Sequence, residues 1–316
     1  MTANNNVKKS IPVFLITGFL GSGKTTLLQN LLELYGDKKI GIIVNEFGKV
    51  AVDGALMQKE GVTLTEIANG SIFCSCLIGS FIDGLTAMAG MPIESLFIES
   101  SGLSDPSEME KIMHDINPFV NGIYDYRGTI CIVDATRHLE LSQTLETINR
   151  QVIYSHLIVI NKSDLVDNER LKDLETSIRM QNPFAPIITT SYGKIDEIWL
   201  EQSLKDFPLP PSHSSLNTPA NRPKTLVLET TGALERNSLR DFLQSFSEHT
   251  FRIKGFVELK EGWYYVDGVS DTIKFSPSKI RPDSSQITVI LNTRQPVKKL
   301  IQVQWAKYFD NPLDIR

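Results

Sequence analysis

The stretch Gly18-Phe19-Leu20-Gly21-Ser22-Gly23-Lys24-Thr25 decides the fold of this chain, because it fits the pattern G-x-x-x-x-G-K-[ST]. The apolar run 11–17 before it is typical of a strand, and the run 26–32 after it favours a helix. In a strand–loop–helix unit the loop N–H groups surround phosphate oxygens, and the helix N-terminus adds partial positive charge. The sequence therefore predicts a nucleoside-triphosphate site, against the alternative of a glycine-rich turn before an ordinary helix. There Lys24 would reach the β- and γ-phosphates, and the Thr25 hydroxyl would ligate Mg²⁺.

Short apolar runs alternate with helical patterns up to about residue 200, within a first domain predicted at 1–207. The candidate strands are 11–17, 39–44, 94–99, 128–134, 156–160 and 186–190. Nearly continuous apolar strands separated by helices predict an α/β fold, a mainly parallel sheet covered by helices on both faces. Ligands of such sheets bind at the carboxyl ends of the strands, where the motifs below fall.

A second domain is predicted after a linker rich in proline and serine at 208–223. The residues 224–316 that follow predict a smaller α+β domain, dominated by strands. Its expected strands are 225–229, 251–259, 263–267, 272–275 and 286–291, with one helix capped by Asn237 or Ser238 and a last helix at 297–308.

Composition narrows the class of protein. The chain has 316 residues, is 41% hydrophobic and carries a net charge of −5, so there is no bulk electrostatic case for nucleic acid or an anionic membrane as partner. No apolar run approaches the length of a membrane span, and residues 1–10 lack the apolar core of a secretory signal. Three cysteines are too few for a disulfide scaffold. We therefore expect a cytoplasmic protein.

A second motif, Asn161-Lys162-Ser163-Asp164, follows the predicted strand at 156–160. The Asp164 carboxylate can accept hydrogen bonds from guanine N1–H and the 2-amino group, a donor pair that adenine lacks. Lys162 can lay its stem along the base, and Asn161 can tie this loop to the phosphate loop. The alternative is a turn before the next helix. Because the motif follows a phosphate loop in the expected order, it predicts guanine in preference to adenine.

Two acidic segments lie between these motifs. Glu99 ends a buried strand beside the phosphate loop, where an acid associated with Mg²⁺ is expected, and Gly102 can present its N–H to the γ-phosphate. After the second strand, Asn45-Glu46-Phe47-Gly48 and Asp53 form a candidate switch segment. Glu46 or Asp53 could ligate Mg²⁺ through water, orient the attacking water or bind a second metal. Each acid could equally be a solvated loop residue.

Two thiols, Cys74 and Cys76, have the spacing C-x-C in a loop with polar and glycine neighbours. They can point at one soft transition-metal ion, although a third group must complete such a site. A buried cysteine pair is the alternative. Cys131 lies in an apolar strand and is predicted to be core. Three of the histidines are predicted at the surface or at strand edges: His114, His138 and His156.

Taken together, G-F-L-G-S-G-K-T-T-L-L, N-E-F-G, a cysteine-bearing N-G loop, E-S-S-G-L-S-D-P and N-K-S-D resemble the CobW family. These are P-loop GTPases of the SIMIBI class, related to the nickel-insertion GTPases of urease and hydrogenase. The resemblance covers nearly the whole chain, including a CobW-like C-terminal domain. It implies slow GTP hydrolysis, with Mg²⁺, coupled to moving Zn²⁺, Co²⁺ or another metal or metal cofactor into a client protein.

The resemblance carries family roles onto matching positions. It implies the Walker-B role for Glu99. It implies nucleotide binding by Gly21, Ser22, Gly23, Lys24, Thr25, Thr26, Asn161 and Asp164.

The sequence departs from the family in its metal loop. The family loop usually reads N-G-C-x-C-C, whereas here only Cys74 matches and Cys76 is an addition. Lys49 stands where the family often has a glutamate, which should weaken cation binding there. Three alternatives stay open: a different metal, a metal held chiefly by the two thiols, or a larger cofactor on the client.

Three functions are consistent with these residues. The first is a GTP-hydrolysing metallochaperone or activator of a metal-cofactor protein. The second is a GTP-dependent scaffold without its own metal, and the third is a P-loop kinase of a small molecule, against which Asp164 argues. The oligomeric state stays open, a homodimer among the alternatives.

Overall fold

The computed structural model describes residues 10–36, 38–46, 62–68, 78–201, 203–209, 216, 224–269, 272–293 and 296–316. These residues divide into two compact units, and the division falls between residues 216 and 224. No helix within these ranges has the length and apolar content needed to cross a bilayer.

The first unit contains a sheet whose strands all run in the same direction. Among the described residues its strands are β1 (Ile11–Thr17), β2 (Ile40–Glu46), β3 (Val62–Ala68), β4 (Ser95–Glu99), β5 (Tyr124–Asp134), β6 (Leu157–Asn161) and β7 (Ile187–Thr189). Their order is β3-β2-β4-β1-β5-β6-β7, and every neighbouring pair is parallel. The predicted parallel sheet is confirmed, with β1 at its centre.

Helices cover both faces of this sheet. The α-helices of the described part of this unit are α1 (Lys24–Tyr35), α2 (Ile78–Ala89), α3 (Met109–Ile116), α4 (His138–Ser142), α5 (Glu146–Ile153), α6 (Asn168–Gln181) and α7 (Ile198–Glu201). Val13 and Leu15 of β1 pack in one core with α2 and α3, whereas Phe14 and Ile16 pack in another with α1. Since alternate residues of a strand face opposite sides, α1 lies on the face opposite to α2 and α3.

The second unit is an antiparallel sheet with two helices. Its described elements are β8 (Thr225–Thr230), α8 (Arg236–Gln244), β9 (Thr250–Leu259), β10 (Gly262–Val269), β11 (Thr272–Pro277), β12 (Ser285–Leu291), α9 (Lys298–Tyr308) and β13 (Leu313–Ile315). The strand order is β11-β10-β9-β12-β8-β13, with every pair antiparallel. Phe242 of α8 and Trp305 of α9 lie 5.0 Å apart, centroid to centroid, in a core shared with Ile253 and Val289. The predicted smaller α+β domain is confirmed.

Some local expectations were incomplete or wrong. Strand β3 was not predicted, and neither was the short strand β13. The helix α8 is capped by Glu235, whose carboxylate accepts from the Ser238 N–H at 2.7 Å, and not by Asn237 or Ser238. A glutamate with extended backbone one residue before the helix supplies the same acceptor that a shorter cap residue would.

Candidate functional site

The loop between β1 and α1 has a backbone shape that only glycine tolerates at two positions. Gly18 has φ 138°, and a Cβ built there would lie 2.2 Å from the Ile132 carbonyl oxygen. Gly23 has φ 112°, and its Cβ would lie 2.4 Å from Asn161 Nδ2. Both the left-handed backbone and the close neighbours exclude side chains. Strands β5 and β6 therefore shape this loop, although they come much later in the chain.

Lys24 is buried and turned back into the loop. Its Nζ donates to the carbonyl oxygens of Gly18 at 2.9 Å and Phe19 at 3.3 Å. The first residues of α1 place its ammonium at the mouth of the loop, where carbonyl oxygens now serve as acceptors. Phosphate oxygens are stronger, charged acceptors for the same group.

Thr25 and Glu99 meet at the carboxyl ends of β1 and β4. The two strands pair with Ile16 opposite Glu99, and Thr25 Oγ1 donates to Glu99 Oε1 at 3.4 Å. Glu99 is almost fully buried, as expected for an acid at the end of a central strand. A hydroxyl and a carboxylate side by side are hard oxygen donors of the kind that Mg²⁺ prefers, so these residues fit the predicted ion.

Asn161 joins three loops of the site. Its Nδ2 donates to the Ser22 carbonyl oxygen at 2.9 Å, and its Oδ1 accepts from the Gly193 N–H at 2.9 Å. The predicted tie between the N-K-x-D loop and the phosphate loop is confirmed. The sequence did not indicate the third partner, the loop after β7, since nothing in its local pattern points to Asn161.

Lys162 adopts a left-handed backbone, φ 62°, and pairs with a residue that sequence reasoning missed. Its Nζ lies 2.5 Å from Asp134 Oδ2, and Asp134 Oδ1 accepts from both the N–H and the hydroxyl of Thr136. Asp164 is exposed at the rim, with its backbone N–H on Ser191 Oγ at 3.3 Å. Position at the end of β5 was the signal that could have identified Asp134.

The segment after β4, residues 100–107, lies against the phosphate loop. A Cβ on Gly102 would be 2.7 Å from the Leu20 backbone nitrogen. Ser101 N–H donates to Asn45 Oδ1 at 3.4 Å, and Asn45 Nδ2 donates to the Ile67 carbonyl at 3.1 Å. Asn45 thus connects the ends of β2 and β3 to this segment. We call residues 100–107 the gate segment.

Two residues of α5 also bind the gate segment, and neither was predicted from the sequence. Arg150 Nε pairs with Asp105 Oδ2 at 2.9 Å, and both side chains are buried. Gln151 Nε2 donates to the carbonyls of Gly102 at 3.1 Å and Ser104 at 3.0 Å. These partners are distant in sequence, so no spacing rule could reveal them.

The remaining predicted site residues lie partly outside the described part of the chain. Asp53, Cys74 and Cys76 lie outside the described residues, and of Glu46 only the backbone is described, at the end of β2. Thr26 is exposed in the first turn of α1. Within the described ranges, no group of three or more His, Cys, Asp or Glu side chains is arranged to hold a metal ion.

Two histidines correct the expectation that all three are surface or edge residues. His114 is exposed, whereas His138 and His156 are buried. Burial disfavours the imidazolium and lowers the pKa of each buried ring to about 4. Cys131 is core as predicted, and burial raises the pKa of its thiol to about 12.

Two family models match the chain. The model described as the CobW/HypB/UreG nucleotide-binding domain matches residues 12–189, and that of the cobalamin synthesis protein cobW C-terminal domain matches residues 224–306.

The chain is also similar to curated relatives and to a solved structure. The zinc chaperone YeiR of Escherichia coli K12 is 27% identical over 87% of this chain and 92% of its own. The zinc-regulated GTPase metalloprotein activator 1 of Dictyostelium discoideum is 30% identical over 63% of this chain, which spans half of that protein. The Zn(II)-bound YjiA GTPase from E. coli aligns with 96% of this chain and 100% of its own at a TM-score of 0.47 and 21% identity.

Proposed function

Because this chain belongs to the CobW/HypB/UreG family of nucleotide-binding proteins, we propose that it is a GTP-hydrolysing metallochaperone. In this proposal the nucleotide state governs delivery of a transition metal, or a metal cofactor, to a client metalloprotein. The proposal has a nucleotide half, GTP hydrolysis, and a metal half, metal delivery. Relatives named as zinc chaperones and as a zinc-regulated GTPase support both halves.

The observation that carries the nucleotide half is the convergence at one edge of the sheet. Lys24 lies in the phosphate loop, Glu99 lies 3.4 Å from Thr25, and Asn161 bonds the loop itself. Bound GTP would replace the two carbonyl acceptors of Lys24 with phosphate oxygens. Mg²⁺ held by Thr25 and Glu99 would neutralise charge that develops on the phosphates.

The N-K-x-D loop supports guanine as the base. Asp164 is exposed to solvent, so its carboxylate can accept hydrogen bonds from guanine N1–H and the 2-amino group. Asp134 pairs with the Lys162 ammonium, which restrains the Lys162 side chain. We include both lysine and aspartate in the proposed base site.

The first experiment measures GTP turnover. We expect Lys24→Ala to abolish it without unfolding the protein, because the ammonium acts on phosphate and not on the core. Lys172→Ala, an exposed lysine on α6, is the matched control and should turn over GTP like the wild type. Unchanged GTPase activity in Lys24→Ala would overturn the assignment, and so would a strong preference for ATP.

The second experiment tests the metal half, in which Cys74 and Cys76 are the proposed thiol ligands. Co²⁺ or Zn²⁺ is titrated into wild type and into the Cys74→Ser/Cys76→Ser variant, each with GDP and with a non-hydrolysable GTP analogue. We expect nucleotide-dependent affinity that the double variant loses and that Cys131→Ala, a change at the buried thiol, keeps. Affinity that depends on neither nucleotide nor thiols would leave only the GTP-dependent scaffold.

A further inference from the structure

Gln151 is a buried residue outside the nucleotide motifs, and its side-chain amide forms hydrogen bonds with the gate segment. It is 1% exposed, and its Nε2 donates to Gly102 O and to Ser104 O. An amide nitrogen carries two N–H donors, so both are used on this one segment. Its helix α5 is itself anchored in the core through Ile148 and Val152. The Gln151 side chain is therefore held by a well-packed helix.

Gly102 differs from its neighbours in the gate segment by its backbone N–H. The N–H groups of Ser100, Ser101, Leu103 and Ser104 donate to Ile16 O, Asn45 Oδ1, Ser101 Oγ and Ser101 O respectively. The Gly102 N–H has no acceptor in the part of the chain that the structure describes. A buried donor beside the phosphate loop, packed on Leu20, is placed to meet a ligand oxygen.

Glycine cannot hold such a donor in place unaided. It has the widest choice of backbone angles, so the orientation of its two peptide groups must come from outside contacts. The hydrogen bond from Gln151 fixes the carbonyl of Gly102, and the one to Ser104 fixes the chain two residues later. The Ser104 N–H in turn donates to the Ser101 carbonyl at 3.0 Å, and that carbonyl lies in the same planar peptide group as the Gly102 N–H. With these bonds made, the N–H of Gly102 has little freedom to turn away from the phosphate loop.

Arg150 supplies a second fixed point at the other end of the gate segment. Asp105 Oδ2 accepts from Arg150 Nε at 2.9 Å and also from the Leu216 N–H at 3.0 Å, while Arg150 Nη2 reaches Ser107 Oγ at 3.2 Å. Cutting this buried ion pair would strand a charge and destabilise the fold. The Arg150–Asp105 pair therefore anchors the segment. A substitution at Arg150 would confuse a loss of stability with a loss of the Gln151 hydrogen bonds.

We propose that Gln151 is a positioning residue that holds the Gly102 N–H where a γ-phosphate oxygen would meet it. Gln151 then sets how strongly the site distinguishes GTP from GDP, without itself touching the nucleotide. The inference rests on the proposed function, because it assumes that the phosphate loop binds GTP.

The test compares Gln151→Met with Asn149→Met. Methionine keeps the length of glutamine and removes both donors. Asn149 is a matched control on the same helix, since its Nδ2 donates to the Ser142 carbonyl at 2.9 Å and not to the gate segment. We expect Gln151→Met to weaken binding of a non-hydrolysable GTP analogue about tenfold while GDP affinity changes less than about twofold, which corresponds to one or two net hydrogen bonds. Asn149→Met should leave the ratio of the two affinities at the wild-type value.

A second measurement tests the effect of the Gln151 hydrogen bonds on the gate segment in the absence of nucleotide. Hydrogen exchange at the amides of 102–105, in nucleotide-free protein, should become faster in Gln151→Met and stay unchanged in Asn149→Met. Equal weakening of GTP analogue and GDP, or no change in either, would overturn the positioning role. If wild type binds no GTP but exchange at 102–105 still responds to Gln151→Met, the proposed function is wrong, whereas Gln151 still restrains the gate segment.

Discussion

At the residue scale, His138 and His156 make the first unit sensitive to acid. Each ring is neutral because burial lowers its pKa to about 4, although Asp134 and Glu140 favour the charged form of His138. In the unfolded chain the pKa is about 6.5, so as pH falls below that value only the unfolded state gains the protons. The two rings therefore leave the free energy of unfolding unchanged above about pH 6.5, and they lower it as the pH falls from there towards about 4. The loss is on the order of 3 kcal/mol for each ring.

The measurement is the free energy of unfolding from urea titrations between pH 7.5 and pH 5. We expect wild type to lose stability over this range and His156→Asn to lose less, since asparagine has no proton to gain. His114→Gln, a change at an exposed ring, should follow the wild-type slope. An identical pH slope in His156→Asn would show that its ring is already charged in the fold.

The positions of site residues were predictable where a motif is continuous in the sequence, and not where the fold brings distant residues together. The glycines, Lys24 and Thr25 are adjacent in the chain, so their spacing alone predicts a phosphate loop. Asp134 and Gln151 belong to no such run. Their partners, Lys162 and Gly102, come from other strands and loops, and only the fold brings them together. The predicted roles of the site residues, Glu46, Asp53, Cys74 and Cys76 among them, stay predictions.

At the element scale, the strand-to-helix loop depends on Gly18. A Cβ there would lie 2.2 Å from the Ile132 carbonyl, and φ 138° is already strained for other residues. We expect Gly18→Ala to lose GTP turnover and at least about 1–3 kcal/mol of stability. Urea unfolding and a GTPase assay on the same samples check both effects.

Gly79→Ala is the matched control for that substitution. Gly79 lies in the first turn of α2, and a Cβ there meets nothing within 4 Å. Alanine should leave GTP turnover unchanged and raise stability by up to about 1 kcal/mol, because it favours helix and restricts the unfolded chain. Wild-type stability and turnover in Gly18→Ala would contradict the proposed need for glycine in the loop.

Elements were predictable in proportion to their apolar content. The central strands β1, β4 and β6 are nearly continuous apolar runs, and the sequence placed each within a residue or two of its observed bounds. Strand β3 is an edge strand with the sequence Val-Thr-Leu-Thr-Glu-Ile-Ala, whose threonines and glutamate dilute that signal. The last strand, β13, has three residues and is held by pairing with β8, which no local pattern reveals.

At the scale of the whole molecule, each unit has a core of its own. The second unit buries Phe242, Phe246 and Trp305 among residues that all come from 226–315. We therefore expect a fragment of residues 224–316 to fold by itself, with a cooperative thermal transition in circular dichroism. Trp305→Ala should remove about 3–5 kcal/mol and abolish that transition. A fragment without a transition would show that its fold needs the rest of the chain.

The central place of β1 has a consequence for synthesis on the ribosome. Val13 pairs with Leu96 on one side and Tyr126 on the other, so β1 is synthesised well before either of its neighbours. At roughly 5–20 residues per second, this apolar strand waits on the order of ten seconds for a partner. The phosphate loop waits longer, because Ile132 and Asn161 shape it. We therefore expect the nascent chain to keep β1 unpaired until β4 has been synthesised, and the phosphate loop unshaped until β6 has followed.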